Sequence, residues 1–397
     1  MQILIVASVP FRSLRRRPQQ LALGLAALGH EILYLNPPRA VRSLVDPGRF
    51  EPGGEVSSTP ESDAELRQWA PAANLKVIEG SAPSAGSGEW TTREGWAHWG
   101  EEVRRIVAAL PEPAEVALVD HPAMIQPVRE SHAAPLVFDC REDYPSLARS
   151  RSIQEAYDEA LTRGLPQVDG MLAVNRYLLE SWGRLLAGDI PQAVVEHGVD
   201  LQLFRPPDPQ RTAAMRSALE IAPGQRMICC LGRMDARFSY EDLETLLALD
   251  EKAILLFVGE VSPDGRTTFQ RLPSQRILPL GPVPPEKAAE IVAASDALFF
   301  PFRREPHLES HRGLKLYEYL ATGRPIVATF RRTLKAYREV LYLYSTREEL
   351  EDAYRAAMGE GEDAPVRAER IRIARSATWT QRADQVAEFL EGLLEDA

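Results

Sequence analysis

The chain is punctuated by short, uninterrupted apolar runs, and their length and spacing exclude most folds. Gln2 to Ala7 is the first and turns at Pro10, while Glu31 to Leu35 is the second. Between them, Pro18 to Leu28 carries a helical apolar stripe with a proline near its start and Gly29 at its end. A strand buried on both faces need not alternate apolar with polar residues, so this opening reads as the β-α-β entry to a doubly wound parallel sheet.

The series continues with strands expected at Leu75 to Ile78, Val116 to Val119, Leu136 to Asp139, Gly170 to Val174 and Ala193 to Glu196. Helices are expected at about Trp96 to Leu110, Ser152 to Arg163 and Arg176 to Leu186. From Arg39 to Ser87, the Leu75 strand apart, the pattern dissolves into Pro, Gly, Ser and acidic residues, as surface loops or an insertion would. The proline-dense RPPDPQ, Arg205 to Gln210, removes both helix and ladder options and reads as a linker.

Beyond it a second cycle starts, with strands at Arg226 to Leu231, Ile254 to Val258, Ile277 to Pro279, Ala297 to Phe300 and Ile326 to Ala328. Helices at Glu241 to Leu249, Pro285 to Ala294, Lys315 to Ala321 and Arg347 to Met358 intervene, and a helix from about Trp379 to Leu394 closes the chain. At 397 residues the chain exceeds the size at which one core usually keeps growing. Two layered α/β domains in series are therefore expected, at 1–204 and 205–379.

Acidic side chains outnumber basic ones by 57 to 46, and the formal net charge of -11 argues against nucleic acid as a partner. Three cysteines, Cys140, Cys229 and Cys230, have neither disulfide-framework nor zinc-site spacing, which points to a reducing compartment. MQILIVASVP is too short for a membrane span and lacks a signal-peptide cleavage region. A cytoplasmic protein is expected.

In open α/β sheets ligands lie beyond the carboxyl ends of the strands. Three such ends in the second half carry suitable chemistry. CLGRMDAR puts Gly232, Arg233, Asp235 and Arg237 after a strand, where guanidinium groups can grip a phosphate bidentately. FVGE puts Gly259 and Glu260 at another. The third is FFPFRREPHLESHRG, which feeds HRGLKLYEYLATGRPIVAT: Gly313 opens a helix, Leu316, Tyr317, Leu320 and Ala321 recur at helical spacing, and Gly323 with Pro325 closes it. A diphosphate at that helix start would leave Glu318, about one turn inside, to accept hydrogen bonds from a vicinal diol such as a ribose. Spacing alone favours reading Glu318 as a solvated residue of a packing helix, and allows Arg233 as half of a surface ion pair with Asp235 and Glu260 as a helix-start charge.

GLKLYEYLATGRPIVAT, preceded by SDALFFPFR, resembles the donor-binding segment of GT-B glycosyltransferases, in particular the retaining family-4-like group and its teichuronic-acid-type branch. RRRPQQLALGLAALGHEILYLNPP, VFDCREDY, VDGMLAVNRYLLES, VVEHGVDLQLFRP, LGRMDARF, LLFVGE, LGPVPPEKAAEIVAASDALFFPFR and SATWTQRADQVAEFL fall in the family's order, so the resemblance covers nearly the whole chain. It implies an α/β GT-B fold: two Rossmann-like domains facing a cleft, with the closing helix, 380–397, returning to the first. It also implies a donor site in which Glu318 takes the ribose hydroxyls, Arg233 the diphosphate, and Gly313, Leu314 and Lys315 the phosphates; where the family often has a lysine a few residues after its Gly-Arg, this chain offers Arg237, a further candidate for the diphosphate's charge. Gly232, Glu260 and Leu316 would flank that site, with Val283 beside the base. The wider family has a glutamate contacting the sugar eight residues before the ribose carboxylate; here that position is Ser310.

In the first domain VDHPAM puts His121 after a strand, where the resemblance implies a histidine near the transferring sugar. The alternative is a histidine that caps the strand structurally. DCRED places Asp139, Arg141, Glu142 and Asp143 at another strand end, and Asp143 is a second candidate for a sugar or acceptor contact. The run Arg12, Arg15, Arg16 and Arg17 is expected to face an anionic acceptor or lipid headgroups, or simply solvent.

The implied activity is a retaining, metal-independent glycosyltransferase with His121, Arg233 and Lys315 as catalytic candidates, and the chain has no Asp-X-Asp metal motif. The implied donor is a nucleotide sugar, a UDP-sugar for preference, serving as co-substrate with no separate cofactor. The acceptor would be a sugar, a lipid-linked glycan or a small molecule, with room for peripheral contact at the inner face of the membrane. An inverting GT-B enzyme, and a non-catalytic relative that binds nucleotide or sugar, are the alternatives.

Overall fold

The computed structural model describes residues 1–12, 16–37, 67–79, 93–148, 150–235, 237–263, 265, 270–305, 308–309, 315–361 and 363–395. The chain forms two compact units, Met1–His197 with Trp379–Ala397, and Gly198–Thr378. The unit boundary precedes the proline-dense run instead of falling within it. Val199 already donates to Ala377 O at 2.8 Å, Phe204 is buried in the second unit, and Pro209 begins a helix whose N-cap, Asp208, accepts from the Arg211 amide at 2.8 Å. Pro209 thus serves as the first helical residue, where a missing N–H costs nothing.

The first unit holds β1 (Gln2–Val6), α1 (Arg17–Ala27), β2 (Glu31–Leu35), β3 (Arg67–Ala72), β4 (Leu75–Glu79), α2 (Arg93–Ala108), β5 (Val116–Val119), α3 (Ile125–Ser131), β6 (Leu136–Cys140), α4 (Arg151–Gly164), β7 (Gly170–Ala173), α5 (Arg176–Gly183) and β8 (Gln192–Val194). Its sheet runs β3-β4-β2-β1-β5-β6-β7-β8, parallel except for the antiparallel β3–β4 pair. Most of the loop-rich stretch expected between Arg39 and Ser87 lies outside the described residues. Leu4, Val6, Val119 and Phe138 share one core with Trp99, Val103 and Leu161, and the period of two sends the equally buried Ile3 and Ile5 to the opposite face.

The closing helix, Trp379–Glu395, belongs to this unit and packs on α1. A glycine inside a helix costs about 1 kcal/mol relative to alanine. Gly24 of α1 has its reason in the crossing, since a Cβ there would stand 2.5 Å from the Ala383 Cβ.

The second unit comprises α6 (Pro209–Ala218), β9 (Arg226–Leu231), α7 (Tyr240–Leu249), β10 (Ala253–Val258), β11 (Ile277–Gly281), α8 (Pro285–Ala294), β12 (Ala297–Phe300), α9 (Lys315–Thr322), β13 (Ile326–Thr329), β14 (Tyr342–Tyr344), α10 (Arg347–Met358) and α11 (Pro365–Arg375). Its parallel sheet runs β11-β10-β9-β12-β13-β14. β9 is buried on both sides: Met227, Cys229 and Leu231 enter one core, Ile228 and Cys230 the other. The adjacent cysteines therefore face opposite ways. α11 is held by a buried clamp in which Arg370 bonds both oxygens of Glu360, at 2.6 and 2.8 Å, and donates to Val340 O at 2.7 Å.

Candidate functional site

In the second unit the chain order reverses at β9, which has β10 on one side and β12 on the other. The crevice beyond the carboxyl ends of β9 and β12 is the topological switch point, the place such sheets offer to ligands. Three glycines line the neighbouring strand ends with left-handed backbone: Gly232 (φ 131), Gly259 (φ 136) and Gly281 (φ 68). The Gly232 amide donates to Val258 O and the Gly259 amide to Gly281 O, both at 2.8 Å. A Cβ on Gly259 would lie 2.1 Å from Gly232 O, so no side chain fits where the two turns pass.

Beyond Gly232 the loop is pinned across the switch point. Arg303 N donates to Arg237 O at 2.7 Å and Ser239 N to Pro301 O at 2.6 Å, while Phe238 and Phe302 form a bridge with rings 4.9 Å apart. Arg237 folds back on Asp235, with Nε and a terminal nitrogen each 2.8 Å from a carboxylate oxygen. Burial opposes ionisation of Asp235, but the bonds from Arg237 outweigh it and hold the carboxyl below the usual carboxylate range. Arg233 is left to Glu260, at 3.8 Å, with about two fifths of each side chain exposed (41% and 40%). The alternative reading of Arg233 as half of an ion pair with Asp235 gives way to Arg237–Asp235 and Arg233–Glu260. The second pair is long and wet, so it costs little to redirect.

The third strand end leads into α9, and its register is set from below. Tyr319, fully buried, accepts from the Leu231 amide at 2.7 Å, and Tyr317 Oη meets Tyr337 Oη at 2.6 Å. Leu316 (1% exposed) and Leu320 (0%) fill the core, so Leu316 offers no side chain to a ligand. Glu318 is itself 8% exposed, which rules out the solvated-face reading. Its Oε2 is enclosed and makes no hydrogen bond of good geometry, but lies 3.0 Å from Lys315 Nζ. Val283 is partly buried against the same core. Ser310, Gly313 and Leu314 lie outside the described residues.

Sequence reasoning passed over the groups behind this face. Arg331, 3% exposed, stacks 4.3 Å over the Phe302 ring; burial and then the neighbouring Arg237, against the pull of Glu309, bring its guanidinium down to about 10. Asp242 takes Tyr344 Oη at 2.9 Å and Arg304 at 3.2 Å. Arg303 and Arg304 shortly after β12, and Arg331 shortly after β13, were the available signal.

In the first unit the order reverses between β1 and β5. Here Ser8 N donates to Asp120 Oδ1 at 2.7 Å, Arg141 donates to Ser8 Oγ at 2.6 Å and lies 3.5 Å from Asp120 Oδ2, and Tyr144 Oη donates to Asp120 O. Burial raises the Asp120 carboxyl, opposed by Arg141 and Ser8. His121 is not at an open strand end. It is 1% exposed, ringed by Trp96, Trp99, Tyr144 and Tyr157 with centroids 5.3–5.6 Å away, and its Nδ1 accepts from the Ala123 amide at 3.3 Å. Burial, then Arg141, lower its pKa to about 3, so the imidazole is neutral. Asp143 is partly exposed beside this cluster.

The arginine run is split. Arg16 is exposed, Arg12 half-buried, and Arg15 outside the described residues. Arg17 is 1% exposed and forks onto Asp139, Nε to Oδ2 and a terminal nitrogen to Oδ1 at 2.8 Å each, while donating to Glu196 O at 3.0 Å. It faces neither acceptor nor solvent, because Asp139 at the end of β6 needs a buried counter-charge. Among the described residues no cluster of three or more His, Cys, Asp or Glu could hold a metal ion, and no helix is long and apolar enough to cross a membrane.

Residues 225–355 match the family described as Glycosyl transferases group 1. A Bacillus subtilis (strain 168) protein, provisionally named as the teichuronic acid biosynthesis glycosyltransferase TuaH, is 25% identical over 268 residues, 64% of this chain and 66% of the relative, just under two thirds of its length. Among solved structures, the sucrose-phosphate synthase of Thermosynechococcus elongatus superposes with a TM-score of 0.72 at 17% identity over 100% of both chains. An E. coli trehalose-6-phosphate protein bound with UDP-2-fluoro glucose gives 0.70 at 12% over 99% of both. Anabaena Alr3699/HepE in complex with UDP gives 0.66 at 13%, over 99% of this chain and 100% of that one. Likeness at these identities establishes the fold, which is GT-B.

Proposed function

We propose that this protein is a glycosyltransferase that moves a sugar from a UDP-sugar to an acceptor in a cell-surface glycan or specialised metabolite. The observation that carries the reading is Glu318: an enclosed carboxylate fixed on α9 beside the β9–β12 switch point, in reach of a ribose diol whose diphosphate would lie toward Gly232 and Arg233. The glycosyltransferase match over residues 225–355 and the UDP bound in Alr3699/HepE support the same donor class.

In the reaction the bond from the sugar's C1 to the terminal phosphate oxygen breaks as an acceptor hydroxyl oxygen bonds to C1, and the hydroxyl proton passes to the departing diphosphate oxygen. The leaving diphosphate gains charge, and preorganised cations stabilise it most where reorganisation is least. Arg233, half-exposed and weakly paired, turns to the diphosphate, while Arg237 is already oriented by Asp235. We assign that charge to arginines, and retention of configuration follows the resemblance to the retaining branch. The acceptor would lie in the first unit, where Arg141 and Asp143 sit at a strand end.

The test is release of UDP from a panel of UDP-sugars with and without lipid-linked or free sugar acceptors. Release by the wild type, cut at least about tenfold in Glu318→Ala, supports the reading, since a lost charged hydrogen bond is worth about that factor. Binding without release in every combination points to a non-catalytic nucleotide-sugar protein.

A further inference from the structure

The nucleotide-sugar site on which this inference rests contains a lysine with the charge to meet the phosphates of such a ligand, yet Lys315 is already engaged. Its Nζ lies 3.0 Å from Glu318 Oε2, with the lysine side chain 31% and the glutamate side chain 11% exposed. Oε2 is shut off from solvent and has no hydrogen bond of good geometry, so the ammonium is its counter-charge. A cation in the first turn of a helix opposes the macrodipole, and a lysine ahead of a glutamate is the less favourable order for such a pair. Position alone therefore does not hold Lys315 there; the carboxylate does.

Moving the ammonium onto a phosphate would leave a buried carboxylate oxygen without compensation. That penalty is the full desolvation cost of a charged group, larger than a partly exposed lysine typically gains from one ion pair. Arg233, with a 3.8 Å partner and 41% exposure, is the cation that redirects at little cost. With Oε2 enclosed, a ligand hydroxyl reaches the carboxylate through Oε1.

We propose that Lys315 is a positioning residue for Glu318, not a phosphate ligand: it neutralises Oε2 and fixes the carboxylate so that Oε1 meets the diol of the bound nucleoside. Its contribution to binding then passes through the diol, and a ligand without that diol does not feel it.

The experiment measures calorimetric affinities of UDP and of 2′,3′-dideoxyuridine 5′-diphosphate for wild type, Lys315→Gln, Lys315→Arg and Glu318→Gln. Lys315→Gln is expected to weaken UDP about tenfold, the equivalent of one charge-assisted hydrogen bond, and to leave the dideoxy ligand unchanged. Lys315→Arg, which keeps the charge, restores most of the UDP affinity, and adding Lys315→Gln to Glu318→Gln has no further effect. Equal losses for both ligands would overturn the proposal and return Lys315 to the phosphates. Wild type that binds neither ligand would instead overturn the uridine-nucleotide reading beneath it.

Discussion

Tyr319 Oη accepts a hydrogen bond from the Leu231 amide at 2.7 Å, tying the middle of α9 to the last residue of β9. The bond is buried, and it sets the distance between Glu318, one residue earlier, and the Gly232 turn, one residue later. Tyr319→Phe leaves the Leu231 N–H unpaired and should cost about 1–3 kcal/mol in urea unfolding of the second unit. Because the same bond registers Glu318, UDP affinity should fall with it. A stability loss with unchanged affinity would show that α9 is held adequately by packing.

The close passage of two strand-end turns makes Gly259 irreplaceable. Gly259→Ala combines a left-handed φ of 136° with a Cβ 2.1 Å from Gly232 O. A destabilisation of at least about 2 kcal/mol is expected. Gly361, where an added methyl would meet no atom within 4 Å, provides the control: its alanine variant should be neutral or slightly stabilising.

Arg17 and Asp139 are both almost wholly enclosed, with side chains 1% and 2% exposed. Arg17→Met strands the carboxylate and should destabilise the first unit by about 3–5 kcal/mol. Adding Asp139→Leu should recover most of that loss, which a denaturation comparison of the single and double variants would read directly. Additive losses would mean that the bond from Arg17 to Glu196 O matters more than the ion pair.

His121 gives the first unit a pH dependence of known sign. Its folded pKa of about 3 lies below the ordinary 6.5, so the unfolded chain binds the extra proton first. Stability is intact above about 6.5 and is lost as pH falls toward 3. Asp120, whose carboxyl is raised by burial, acts in the opposite sense by keeping its proton longer in the folded state, above its ordinary 3.8. Replacing His121 with Phe should flatten the acid limb between about pH 6.5 and 3, where the unfolded imidazole holds a proton that the folded one does not. An unchanged limb would place the proton-linked loss elsewhere.

Much of the fold was legible because strands buried on both faces are written as apolar runs, and β9, β10 and α8 fall where those runs and stripes begin and end. The short β14 and the edge strand β3 carry no comparable signal, since three residues or a half-covered edge need little apolar patterning. At the site, Glu318 was readable from its helix and its following glycine. The pairings were not: whether Asp235 takes Arg233 or Arg237, and whether Arg17 faces water or Asp139, depends on long-range packing that no local spacing encodes. His121 was legible as a strand-end histidine, but its aromatic ring of neighbours comes from α2, α4 and the Tyr144 turn, far apart in sequence.

The most direct test of a donor site built on Glu318 is a thermal-shift panel of UDP, GDP, ADP and dTDP, alone and as sugar conjugates, against wild type and Glu318→Ala. A ligand at about 100 times its dissociation constant stabilises the folded state by roughly 2.7 kcal/mol. The predicted result is a shift with UDP and its sugars that disappears in Glu318→Ala while the melting temperature of the ligand-free variant stays close to wild type. A shift of equal size in the variant, or none with any nucleotide, would contradict that site.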